Sequence, residues 1–150
     1  MVHIERRLSA HALVGLDTSV WIYHFEDNPR YAALTTALLS AVEAGQTRAV
    51  ISVVTVMELT VHPYRLRQPQ VAAHYEALLT HFPNVQIDDV TAAVARRASQ
   101  LRGLYALRPA DALLVATALV AGASAWITND RGLGRLLPLI DVLVLDDLLA

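Results

Sequence analysis

Residues 112–129, ALLVATALVAGASAWITN, run for 18 positions without a formal charge, and how they divide decides the fold. Taken whole, the stretch just reaches the lower length limit of a membrane-spanning helix. Thr117, Gly122, Ser124 and Thr128 dilute its hydrophobicity, and Gly122 separates an Ala/Leu-rich half from a short AWIT run that ends in turn residues. The stretch therefore reads as a buried helix, opened by Pro109, followed by a buried strand, and not as a membrane segment.

The same alternation extends outward in both directions. Upstream, ALVGL at 12–16 reads as a strand, 18 to about 43 as a helical region closed by Gly45, and RAVIS as a strand before Val53. The stretch VISVVTVMELTV at 50–61 would be all strand by the propensity of its β-branched residues. It is split here at about Ser52, strand before and helix after. Apolar positions at helical spacing predict a helix over 70–81, closed by Pro83 and Asn84, and VQI at 85–87 a strand. A helix from 91 to about 105, a short helix around 132–137 and a last strand in DVLVL complete the pattern. Strands separated by helices imply an α/β protein whose mainly parallel sheet is covered on both faces. No repeat, low-complexity tract or linker interrupts residues 1–150, so one domain is expected.

Composition narrows the chemistry. Apolar residues make up 55% of 150 positions, enough to bury one sizeable core. With no cysteine, disulfides and thiolate metal sites are excluded, any metal must be held by oxygen or histidine nitrogen, and a reducing cytoplasm fits. The apolar stretch near the amino terminus is too short for a signal peptide and Asp17 interrupts it. Net charge is −2, which does not advertise a nucleic-acid binder, although all 12 basic residues are Arg, whose planar fork suits phosphate.

Four carboxylates organise the remaining signal. Singly, Asp17 could cap the helix that follows it, Asp111 could answer the helix dipole behind Pro109, and Asp130 in TNDRG could be a turn residue. Glu58 is harder to dismiss, being the only formal charge between Arg48 and Arg65 in a helix that otherwise reads as buried. Jointly, Asp17 and Asp130 each end an apolar strand, and ligands of open parallel sheets gather at the carboxyl ends of strands. Acids converging there would repel one another unless a cation held them, and oxygen-only donors point to Mg²⁺ or Mn²⁺. Such ions suit phosphodiester hydrolysis.

The blocks LDTSVWIY, VVTVMELTVHP, PADALLVATAL and WITNDRGL, in that order, resemble the motifs of PIN domains, and TNDRG with its trailing Leu is similar to the VapC toxins. The resemblance covers the chain from Val14 to the final LVLDDL. It implies a three-layer α/β/α fold with a five-stranded parallel sheet. Its acidic quartet, catalytic and metal-binding together, falls on Asp17, Glu58, Asp111 and Asp130, with Thr18 and Thr128 as polar support. It further implies a Mg²⁺- or Mn²⁺-dependent endoribonuclease that dimerises and is silenced by a cognate antitoxin. Two departures stand out. About a dozen residues precede the first motif, leaving 1–11 open as a disordered extension, a partner-binding segment or a misplaced start. After Glu58 the chain has LTVHPYRLR where many relatives have a basic, Gly-containing stretch, which bears on substrate preference.

Other residues weigh less. Arg131, directly after Asp130, is the first candidate for contact with RNA phosphate. The spacing of His24, His62, His74 and His81 matches no metal-ligand pair, and Trp21, Tyr23 and Tyr31 read first as packing residues. Two function classes are carried forward: a ribonuclease toxin, and a PIN-like module that binds RNA or protein without cutting. Retention of all four acids favours the enzyme.

Overall fold

The computed structural model describes residues 2–149. Five parallel strands, β1 (Leu13–Leu16), β2 (Arg48–Ser52), β3 (Val85–Asp88), β4 (Ala125–Thr128) and β5 (Asp141–Val144), lie in the order β3-β2-β1-β4-β5. The chain builds the sheet outward from β1 to β3, then returns to the centre and builds the other half. The direction of winding therefore reverses between β1 and β4, and in such sheets the crevice at that point is where ligands bind.

Alternation along the strands explains the three layers. Val14, Leu16, Ala49, Ile51, Ala125 and Ile127 face one core, packed beneath α1 (Val2–Leu8), α2 (Thr18–Phe25), α3 (Ala32–Glu43) and α8 (Leu145–Leu148). Val50 and Trp126 face the other, beneath α6 (Ala92–Tyr105) and α7 (Pro109–Ala121). The remaining helices, α4 (Val53–Arg65) and α5 (Pro69–Thr80), connect β2 to β3, and a short 3-10 helix (Arg131–Leu136) follows β4. Residues 112–129 divide as the sequence predicts: α7 ends on Gly122 in the left-handed conformation (φ 89°) and all four residues of β4 are buried. Among the described residues no helix is long and apolar enough to cross a membrane.

Gly15, at the centre of β1, fixes how closely α7 approaches. A Cβ there would lie 2.6 Å from Ala118 Cβ and 2.7 Å from Trp126 Cε3. Only a residue without a side chain lets α7 sit down on the sheet, and α7 carries Asp111 at its start.

Three expectations gain detail. The helical region from 18 to 43 is two helices, because Asp27 takes positive φ (49°), the Asn28 side chain accepts from the Arg30 amide and Pro29 follows. Within the segment 1–11, whose role the sequence leaves open, residues 2–8 form α1, and Ile4 and Leu8, one turn apart, are buried in the first core. Helix α4 begins at Val53 with Ser52 as its cap, as the split predicts, but it is not buried all round. Thr55, Leu59 and Pro63 point inward while Val53, Met57, Val61 and Tyr64 form an exposed apolar stripe.

Candidate active site

Asp17 follows the last residue of β1 and Thr128 ends β4, so the two strands flanking the reversal point deliver them side by side. The Thr128 hydroxyl donates to Asp17 Oδ2 at 2.6 Å, and the Thr18 amide donates to Asp17 Oδ1 at 2.8 Å. Asp17 is thus the cap of α2, and the same two hydrogen bonds fix its carboxylate at the end of the sheet.

Glu58 reaches the site from the second turn of α4. Thr18 Oγ1 donates to Glu58 Oε1 at 2.7 Å. That uses the one hydroxyl proton of Thr18, so the 3.0 Å contact between Thr18 Oγ1 and Thr55 Oγ1 has Thr55 as its donor. The chain of hydroxyls from Thr55 through Thr18 to Glu58 fixes the carboxylate from the protein side. Thr55 was not singled out in the sequence. Its spacing of three from Glu58 along α4, on the inward face, is the signal that could have found it.

Asp111 lies in the first turn of α7, as its sequence position behind Pro109 implies, and Arg108 Nε donates to Asp111 Oδ2 at 3.1 Å. Burial pushes the Asp17 carboxyl up from the ordinary 3.8 to about 6. The hydrogen bonds from Thr128 and Thr18 oppose that rise, and the charges of Asp111 and Glu58 add to it. Asp17 therefore feels both Glu58 and Asp111.

Asp130 stands apart from those three. It is exposed and its Oδ1 accepts from the Gly132 amide at 2.9 Å, capping the 3-10 helix. Its backbone is tied to the site: the Asp130 amide donates to Thr128 Oγ1 at 3.1 Å, so Thr128 links Asp130 to Asp17. Arg131, the expected phosphate contact, points to the carboxyl terminus, with Nη2 2.7 Å from Asp147 Oδ1.

The neighbouring Asn129 holds the loop in place. Its Nδ2 donates to Tyr31 Oη at 2.9 Å and to Tyr23 Oη at 3.3 Å, and its Oδ1 accepts from the Asp146 amide at 3.0 Å. The two tyrosine rings stack 4.3 Å apart, which agrees with a packing role, and Trp21 is fully buried. Asp146 accepts from the Tyr31 hydroxyl at 2.7 Å, which holds its carboxyl below the ordinary range.

The donor set is all carboxylate and hydroxyl oxygen, the ligand type of hard divalent cations. Among the described residues no three His, Cys, Asp or Glu side chains already stand as a closed ligand set. Each acid has instead a donor of its own. A carboxylate oxygen that accepts one hydrogen bond keeps a second lone pair, so these acids remain able to bind a cation. The oxygen chemistry of Asp17, Glu58 and Asp111 suits a divalent cation, but gathering them around one would take some side-chain movement. Asp130 would have to turn from Gly132 or share.

The sequence profile of the PIN-domain family matches residues 14–136. No curated protein matches the chain. Solved structures share the fold: VapBC2 from Rickettsia felis bound to a promoter DNA fragment aligns with a TM-score of 0.70 at 16% identity, covering 88% of this chain and 98% of the other. DNA-bound VapBC from Salmonella typhimurium aligns with a TM-score of 0.66 at 22% identity, covering 88% and 97%. A toxin–antitoxin complex from Klebsiella pneumoniae aligns with a TM-score of 0.64 at 23% identity, again covering 88% and 97%.

Proposed function

The chain belongs to the PIN-domain family, and from that premise we propose that it is a metal-dependent endoribonuclease of the VapC type, the toxin of a toxin–antitoxin pair acting in the cytoplasm. The observation that carries this reading is the half-buried Asp17 at the reversal point of the sheet, its proton affinity raised by desolvation and by two further acids. A carboxylate kept there against its own solvation costs stability, and such perturbed groups cluster at functional sites.

Asp17, Glu58, Asp111 and Asp130 are the proposed catalytic and metal-binding residues, with Thr18 and Thr128 orienting the first two. Mg²⁺ or Mn²⁺ bound by them would act as a Lewis acid on the phosphodiester and offset charge on the attacking and leaving oxygens. The protein's own part is positional. Thr128 and the Thr18 amide each fix one oxygen of Asp17, Thr18 fixes one oxygen of Glu58, and Gly15 lets α7 bring Asp111 close.

A cognate antitoxin is the proposed regulator, supported by the toxin–antitoxin complexes among the similar structures. The groove between α2, α4 and α5, lined by Ile22, Phe25, Leu59 and Tyr75 and reaching Glu58, suits an apolar segment of such a partner. For the homodimer, the exposed stripe of Val53, Met57, Val61 and Tyr64 is the face a second copy would cover.

The test is incubation of total RNA with purified protein and Mn²⁺, with cut ends mapped and Asp17→Asn as control. Cleavage lost in the control supports the enzyme. Equal cleavage by both proteins overturns the site, and RNA binding without cleavage would identify a non-catalytic binding module.

A further inference from the structure

Building on the ribonuclease reading, we propose that Arg108 is a phosphate-binding side chain of the site, held on Asp111 and passed to the RNA when a divalent cation takes that carboxylate. Arg108 is the residue before Pro109 at the start of α7, and its side chain is 81% exposed. Its Nε lies 3.1 Å from Asp111 Oδ2, leaving both Nη groups without a partner among the described residues. The fork that recognises phosphate is therefore free while the arginine is held beside the acids.

The surroundings reinforce that role. Helix α7 runs for 13 residues with no side-chain cap, so its positive end adds to the charge of Arg108 at the same edge of the site. Arg131, by contrast, is paired with Asp147, Arg30 with Asp146, and Arg7 with Asp141. An RNA backbone approaching Asp17 and the two acids that repel it needs a cation at their rim. Arg108 is the arginine that touches one of them.

The contact with Asp111 makes the two ligands interdependent. A guanidinium and a divalent cation on one carboxylate repel each other even where the oxygen has a lone pair for each, so metal entry weakens the hold on Arg108. Once displaced, an exposed arginine can swing to a phosphate beside the metal. Arg108 would then disfavour metal in free protein and favour RNA in metal-loaded protein.

The test compares wild type, Arg108→Ala and Arg108→Lys in two measurements besides cleavage. Binding of a labelled single-stranded RNA is followed with Ca²⁺ in place of Mg²⁺ over a range of salt. Arg108→Ala should bind roughly threefold to tenfold more weakly, and its slope of log affinity against log salt should be shallower by about 0.7, one contact on a single strand. Arg108→Lys should recover the slope but not the whole affinity, because a point charge lacks the fork. In the second measurement, thermal shifts against Mn²⁺ without RNA should place half-saturation of Arg108→Ala at lower metal concentration than wild type. An unchanged salt slope, or Mn²⁺ binding no tighter in Arg108→Ala, would overturn the proposal and leave Arg108 as a brace for α7. Failure of wild type to cut RNA at all would strike the ribonuclease reading instead.

Discussion

The hydroxyl of Thr128 and the carboxylate of Asp17 meet at 2.6 Å although 111 positions separate them in the chain. The contact joins the two strands where the winding of the sheet reverses, and it lowers the proton affinity of Asp17 against the larger effect of burial. Thr128→Val keeps the shape and removes the donor. In excess chelator the variant should ionise Asp17 above about 6, as read by NMR titration of the carboxyl carbon. It should also lose about 1–3 kcal/mol of stability, because the Asp130 amide loses its acceptor as well. An Asp17 titration at the wild-type position would show that the Thr128 hydroxyl does not tune it.

Stability without metal should fall as pH rises. The folded-state pKa of Asp17, about 6, lies above the ordinary 3.8, so the folded protein binds the proton more tightly than the unfolded chain. Its contribution is fully present below about pH 4, declines between there and about pH 6, and is gone above. The decline is on the order of 2–3 kcal/mol. Asp17→Asn in excess chelator should flatten this slope and melt higher than wild type near pH 8. Denaturant titrations at pH 4, 6 and 8 measure it, and an equal slope in both proteins would count against a raised Asp17.

Asp130→Asn should separate turn chemistry from metal chemistry. The side chain is exposed and accepts from the Gly132 amide, which an Asn oxygen can do as well, so melting in chelator should change by less than about 0.5 kcal/mol. If Asp130 turns to a bound ion, the stabilisation gained on adding Mn²⁺ should be smaller in the variant. Identical Mn²⁺ responses would reduce the site to Asp17, Glu58 and Asp111.

Gly15→Ala should cost about 1–3 kcal/mol, because the new methyl would meet Ala118 Cβ and the Trp126 ring at closer than contact distance. The helix would have to lift, carrying Asp111 with it. Activity should therefore fall further than the loss of stability explains, as measured at a temperature where both proteins are folded. A variant as stable and as active as wild type would show that α7 has room to spare.

Much of this architecture is legible in the sequence because it is periodic. Gly122 cuts the uncharged run into helix and strand, Ser52 divides 50–61, and Asp17 stands at the end of its strand where the pattern puts it. What could not be read is pairing across distance. Nothing in TNDRG says that Arg131 turns to Asp147, or that Asn129 binds two tyrosines from α2 and the start of α3. The burial of Ile4 and Leu8 is likewise tertiary, since a seven-residue helix has too few internal hydrogen bonds to hold itself. Arg108 was legible in principle, three residues before Asp111, but an i,i+3 pair on a helix is ordinary until its acid is known to belong to a site.

On the toxin reading, the strand order also governs when the protein can act. Asp17, directly after β1, is made 111 positions before Thr128 at the end of the neighbouring strand β4. Through that interval of synthesis Asp17 lacks Thr128 and one edge of β1 is unpaired. Closing so long a loop is a late and slow step, because the entropy of closure must be overcome before the strands reward it. On the ribonuclease reading, a nascent toxin lacks its completed site until β4 has been made. The interval before closure of the sheet is then time in which a partner can reach it before it acts.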